Sequence, residues 1–427
     1  MRMGKLSGLL TLLCLLLQAT ITTQASNWPN WRGPFSNGST DEASAAFPAT
    51  WSRTNNVLWR LDLPEAGNSS PIVWRDRVFI TQAEGTRRTV ICVDRDTGKR
   101  LWQSGPTYDQ PEPTMNGSNP YCAASPVTDG TRVIAFFGSA GLCCYDFKGR
   151  ELWHTELGKI AHMFGTASSP CLEGNLCYVF VGPGTNETMV AVDKRTGKIA
   201  WRREALMPRA QDLVRVSSNG PPFGAWSTPL VIRDHGRREL IMAFDFRLGA
   251  YEANTGELEW EQDGLGLQTY VTPLWTDGIL FPMSGISAIA VHPPSPKGKP
   301  AETVWSDQKS KFRYGSAVAT ADHLFSVSEN GIAECRAKRT GKVLWQERLQ
   351  GPGKKGSTWS SVSIVGNIIY VPNQSGDVFA FSATRDFHLL GVSPVDEPTN
   401  ASLALSQGRI FMRTDKSLWC FGNSAQR

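Results

Sequence analysis

Hydrophobic positions along this chain come in short runs broken by polar turns, and one run-turn-run unit keeps returning. In Ala191-Val-Asp-Lys-Arg-Thr-Gly-Lys-Ile-Ala-Trp201 a short strand meets a Thr-Gly turn and a second strand ending in Trp. The same unit runs from Cys92 to Trp102, from Ala250 to Trp260 and from Cys335 to Trp345. A shortened copy runs from Cys144 to Trp153, one with a Pro-rich insertion from Ala290 to Trp305, and a decayed copy without Trp from Ala380 to Leu390. Gly after a polar pair permits a tight reversal between two strands. The terminal Trp offers a large apolar plate to lie between neighbouring sheets. Successive Trp positions are mostly about 40–50 residues apart, the period of a four-stranded propeller blade.

A second signature precedes each unit: Ser69-Ser-Pro71, Ala124-Ser-Pro126, Ser168-Ser-Pro170, Ser227-Thr-Pro229, Val271-Thr-Pro273, Gly315-Ser-Ala317, Ser360-Ser-Val362 and Ala401-Ser402. Small residues and Pro suit an innermost strand starting at a crowded centre. Gly174-Asn175 and Asp277-Gly278 mark hairpins. Eight starts predict an all-β chain: an eight-bladed β-propeller of four-stranded antiparallel blades. The last blade, from Ala401 to Phe421, stops one strand short. The segment Asn56-Val-Leu-Trp59-Arg-Leu-Asp62 is expected to complete it and close the ring, leaving only short, protected edges.

Composition alters this picture little. Arg2 and Lys5, a leucine-rich run from Leu9 to Leu17 and the small-residue site around Ala25 read as a secretory signal peptide over residues 1–25. Leu12 and Leu13 before Cys14 argue against a lipoprotein. Residues 26–55 form an N-terminal extension and 56–424 the propeller. An exported, periplasmic or extracellular monomer without a membrane span is expected. With 44 basic against 39 acidic residues and no basic block, nucleic acid is not an expected partner.

The Ala-x-Asp-x-x-Thr-Gly-x-x-x-Trp unit resembles the repeat of the pyrroloquinoline-quinone (PQQ) repeat family, over nearly the whole mature chain. That resemblance implies a propeller. It also implies two kinds of activity: quinoprotein dehydrogenases, which use PQQ with calcium, and BamB-like scaffolds, which bind no quinone. The opening Trp28-Pro-Asn-Trp31-Arg-Gly-Pro34 resembles the start of many exported members. The repeat fixes the fold and leaves the activity open.

The chemistry-bearing residues favour binding over catalysis. Cys143-Cys144 matches the adjacent cysteines of quinoproteins. However, Cys144 shares a repeat slot with Cys92, Cys335, Cys420 and several Ala residues, as a small buried hydrophobe would. Cys171 and Cys177 flank one hairpin turn, where a disulfide and plain core packing are both open. Cys122 has no assignable partner. No haem-attachment or zinc spacing occurs. The 351–356 Gly-x-Gly-x-x-Gly run opens no helix, so it reads as a loop. Asp94, Asp146 and Asp193 read as turn caps.

Loops leading to the inner strands converge on the channel mouth. They bring Asn68, Tyr121, His162 and Trp226, then Tyr270, Arg313 and Tyr314, and finally Trp359 and Asn400. Aromatics with a few polar groups make a site for a small molecule, glycan or peptide. An Arg there could take a carboxylate bidentately. A quinone dehydrogenase would also need calcium ligands and a carboxylate base. The nearest carboxylates, Glu65, Asp212 and Glu397, belong to no motif. The long inter-blade segments are residues 104–119 and 204–222. The reading is a binding or scaffolding propeller for a protein, small molecule or glycan. A PQQ-dependent alcohol or sugar dehydrogenase, including the polyvinyl-alcohol type, is the catalytic rival.

Overall fold

The computed structural model describes residues 26–423 apart from 111, 113, 115–117, 185, 214–222 and 296. The signal-peptide reading therefore lies outside the described residues. The molecule is an eight-bladed propeller; in the first seven sheets four antiparallel strands lie in consecutive order, with Ser39–Thr40 added in parallel to the seventh. Blade one contains Ile72–Trp74, Arg77–Glu84, Arg87–Asp94 and Arg100–Ser104. Blades two to seven repeat this order, from Val127–Thr128 through Leu389–Pro394. In the eighth sheet Val57–Asp62 lies antiparallel on Ser417–Phe421, so the described chain meets itself there. Among the described residues no helix is long and apolar enough to cross a membrane.

One local device recurs in every blade except the seventh, where Gly391 faces Ala380 in place of a Trp. The third and outer strands shift register at a bulge, which sets the Trp against the small slot of the repeat: Trp102 against Cys92, Trp153 against Cys144, Trp201 against Ala191, Trp345 against Cys335 and Trp59 against Cys420. A larger slot residue would collide with the indole beside it. The Trp then reaches into the next blade, where its Nε1–H donates to a backbone carbonyl before the turn. Examples are Trp59 to Arg95 (2.7 Å), Trp102 to Phe147 (3.0 Å) and Trp201 to Ala253 (3.0 Å). Its ring covers the turn Gly. At Gly256, with φ +70°, an added Cβ would stand 2.5 Å from Trp201. Trp260 departs from the pattern and donates to the Glu239 carboxylate at 3.3 Å. The blade after it carries the Pro-rich insertion in place of the Thr-Gly turn.

The repeat Asp residues cap these turns. Asp94 Oδ1 accepts from the N–H groups of Asp96 and Thr97, and Asp193 Oδ1 from those of Arg195 and Thr196. The two adjacent cysteines lie in regular ladder positions of Leu142–Asp146 as free thiols. Burial pushes both up to about 12, so neither offers a thiolate. The disulfide reading of Cys171 and Cys177 is corrected. Cys171 pairs across the hairpin with Tyr178, and Cys177 with Leu172. Cross-strand partners share a face and successive residues alternate, so the two thiols point to opposite faces of the sheet. The 351–356 run is a loop before Ser363–Val365, with Gly353 N–H on Asp377.

Candidate ligand-binding channel

The middle residues of the eight inner-strand signatures form a closed hydrogen-bonded ring around the channel. Ser70 N–H donates to Ser125 Oγ (2.8 Å), Ser125 N–H to Ser169 Oγ (3.0 Å), and Ser169 N–H to Thr228 Oγ1 (3.0 Å). The series continues through Thr272 (3.0 Å), Ser316 (3.0 Å), Ser361 (2.8 Å) and Ser402 (2.9 Å). Ser402 N–H closes it on Ser70 Oγ at 2.9 Å. Each blade thus satisfies a buried backbone donor of its neighbour, which is why that position is always Ser or Thr. The hydroxyls spend an acceptor site here and keep their own hydrogens to donate.

Above this ring opens a cavity of about 500 Å³, within the range of small-molecule sites. One wall is an arc of aromatic rings. Trp226 stacks on Tyr270 at 4.8 Å between centroids, Tyr270 meets Tyr314 at 4.6 Å, and Tyr314 stacks on Trp359 at 4.3 Å. The facing wall is amide-rich. Asn68 and Asn400 both donate from Nδ2 to Ser118 O, at 2.8 and 3.1 Å. Asn119 donates to Phe164 O at 2.7 Å. Gln268 lines the cavity from a left-handed backbone position, φ 56°. Among the described residues, no carboxylate and no cationic side chain lines this space.

Of the nine side chains expected at the mouth, six line the cavity: Asn68, Trp226, Tyr270, Tyr314, Trp359 and Asn400. Three do not. Arg313 is buried away from it, donating to Ser310 Oγ at 2.6 Å and lying 3.5 Å from Glu334 Oε1. The extended segment alternates sides, so Phe312 and Tyr314 join the aromatic arc and Arg313 points away. His162 stands behind the arc, edge-on to Trp226 at 5.2 Å. Its Nδ1 accepts from Phe164 N–H and its Nε2 meets Phe223 O, which defines a neutral ring donating from Nε2. Burial lowers its pKa further. Tyr121 lines a smaller neighbouring cavity, with its hydroxyl on Glu112 O at 2.8 Å and the Arg88 guanidinium 4.0 Å over its ring.

The three carboxylates singled out from the sequence serve the scaffold. Glu65 accepts from Gly85 N–H, Asp212 from Arg209 N–H, and Glu397 holds Arg60, Thr414 and Trp419 Nε1 together. Sequence reasoning missed Asn119, Gln268 and Phe164, together with Trp31, which reaches the cavity from the N-terminal segment.

Residues 49–205, 86–264 and 245–413 match the model of a family described as outer membrane protein assembly factor BamB. The polyvinylalcohol dehydrogenase of Sphingopyxis sp. (strain 113P3) is 23% identical over 473 residues, covering 91% of this chain and 69% of that protein. BamB from Moraxella catarrhalis superposes with a TM-score of 0.61 at 15% identity, covering 86% of this chain and 99% of that one. The computationally designed Ika8 protein gives 0.59 at 12% identity, covering 84% and 98%. At such identities the structural likeness speaks for the fold alone.

Proposed function

Because this chain belongs to the BamB-like PQQ-repeat family, we propose that it is an exported, non-catalytic binding propeller whose channel mouth holds an uncharged, hydroxyl-bearing ligand, a sugar ring above all. The observation that carries this reading is the lining itself. Four aromatic rings packed against one another in an arc offer a continuous apolar wall to the apolar face of a sugar. Amides and ring hydroxyls opposite offer donors and acceptors to its hydroxyl groups. No lining charge among the described residues awaits a counter-ion.

The catalytic rival draws support from the polyvinylalcohol dehydrogenase relative. PQQ would supply two-electron oxidation of an alcohol when bound. It is a planar tricarboxylate. Its carboxylates would face neutral side chains, with Arg313 turned away and paired. A calcium ion would need oxygen ligands rich in carboxylate, whereas among the described residues no carboxylate lines the cavity and no cluster of three His, Cys, Asp or Glu residues could hold a metal. These residues do not fit the quinone-calcium pair.

Calorimetric titration of the mature protein with neutral oligosaccharides, and separately with PQQ plus calcium, tests the proposal. Saturable binding of a neutral oligosaccharide, with none of PQQ, is expected. Tight PQQ binding with dye-linked alcohol oxidation would overturn it. Trp226→Ala should weaken the sugar roughly ten-fold, about 1.4 kcal/mol.

A further inference from the structure

We propose that Trp31 is the partition of the propeller channel. It closes the mouth cavity from below and sets how deep a ligand can reach, and the surrounding Trp28-Pro-Asn-Trp31-Arg-Gly-Pro34 motif is a strut that holds it there. Only the ligand arm of the test below rests on the binding reading given above.

The path of the strut carries the argument. Trp28 exchanges both backbone hydrogen bonds with Val73, in the innermost strand of blade one, at 2.8 Å each. Pro29 O accepts from Thr128 N–H of blade two at 2.9 Å. Three residues later the Arg32 guanidinium donates to Val362 O (2.8 Å) and Ala317 O (2.6 Å), at the starts of blades seven and six. Gly38 O then accepts from Ile364 N–H at 2.8 Å, and Ser39–Thr40 runs parallel to Ser363–Val365. In a ring of eight, blades two and six face each other across the axis. The chain between Pro29 and Arg32 therefore crosses the channel, and Trp31 is the large side chain on that crossing.

The cavities agree. A second cavity of about 220 Å³ opens on the other face, lined in part by Pro29, Arg32, Pro170 and Leu172. Among the described residues, Trp31 and Thr228 are common to both spaces. Thr228 belongs to the hydroxyl ring in the channel wall, which leaves Trp31 as the group standing between them.

The strut is held by interactions that are costly to build. Arg32 is almost wholly buried and its guanidinium is met by three carbonyl oxygens, those of Val362, Ala317 and Asn37. Burial lowers its pKa to about 9. A buried cation balanced by carbonyls alone is an expensive anchor, yet it fixes the neighbouring Trp31, whose ring centroid lies 5.6 Å from the guanidinium carbon. Trp28 is fully buried, and at Gly33 (φ +78°) an added Cβ would come within 2.8 Å of its ring. Trp28, Arg32 and Gly33 of the motif each serve the crossing.

The test compares Trp31→Ala with Trp31→Phe, both retaining the Trp28 and Arg32 anchors. The crystal structure of Trp31→Ala should show one continuous passage through the molecule, and that of Trp31→Phe two separate cavities. In the wild type, affinity for neutral oligosaccharides should level off with chain length. In Trp31→Ala it should keep rising by several-fold for longer chains, and Trp31→Phe should restore the plateau. A passage still closed in Trp31→Ala, or a length dependence identical in all three proteins, would overturn the inference. If the wild type binds no sugar at all, the binding reading fails, and the crystal structures alone decide on the partition.

Discussion

Two residues show how tightly single positions are committed. Gly256 and Gly236 both have left-handed backbone, φ +70° and +78°. At Gly256 an added Cβ meets the Trp201 ring, while at Gly236 it meets open space. Gly236→Ala should cost about 1 kcal/mol, the backbone penalty alone. Gly256→Ala should cost clearly more, and a comparison of melting temperatures checks the difference. Asp245 carries a different signature. Its Oδ2 accepts from Gly224 N–H at 2.7 Å, and the backbone N–H groups of Gln268 and Thr269 also act on the carboxylate. Burial, with the Glu187 carboxylate adding to it, lifts its pKa to about 7. Glu187 is lifted to about 7 by its own burial. A carboxyl raised in the folded state stabilises the fold fully below its unfolded pKa of about 4 and loses that contribution as pH rises through about 7. Melting temperature should therefore fall between about pH 4 and pH 7 and level off above, and Asp245→Asn should flatten the fall. An unchanged slope in that variant would remove Asp245 from the account.

At the scale of strands and turns, the hydroxyl ring ties blade to blade. Ser169→Ala leaves the buried Ser125 N–H without its acceptor, a loss of about 1–3 kcal/mol, whereas Ser169→Thr keeps the oxygen and should cost less. Chemical denaturation of the two variants makes the comparison. This device was in plain view in the sequence, since the second residue of all eight signatures carries a hydroxyl. Read only for small size and Pro, it passed as a steric requirement. The repeat turn was more legible, because Asp, Thr, Gly and Trp each act within a few residues or on the adjacent blade. Side-chain direction was harder. Cys171 and Cys177 looked like neighbours across a hairpin, yet a one-residue offset in register puts them on opposite faces. Arg313 failed for the same reason, because an extended segment that turns Tyr314 into the channel turns its neighbour out.

For the molecule as a whole, the number and order of blades followed from periodicity, but what fills the channel did not. The strut of residues 28–34 joins blades one and two to blades six and seven, and the Asn119 and Gln268 amides come from loops with no repeat to index them. Such contacts pair residues far apart in sequence and leave no local signal. The eighth sheet depends on similar long-range ties. Glu397 binds Arg60 at 3.1 Å and Trp419 at 3.2 Å, joining both ends of the described chain. Glu397→Ala leaves the buried Trp419 Nε1–H without its acceptor, while Arg60 keeps Asp62 and Ser417, and should lower the melting temperature by several degrees. The central claim is that the channel mouth is an uncharged site for a hydroxyl-bearing ligand. Its most direct test is a crystal structure of the protein soaked in a neutral oligosaccharide that calorimetry shows to bind. A sugar ring should lie against the Trp226, Tyr270, Tyr314 and Trp359 arc, its hydroxyls on Asn68, Asn119 or Asn400. A sugar bound elsewhere, with the mouth untouched, would contradict it.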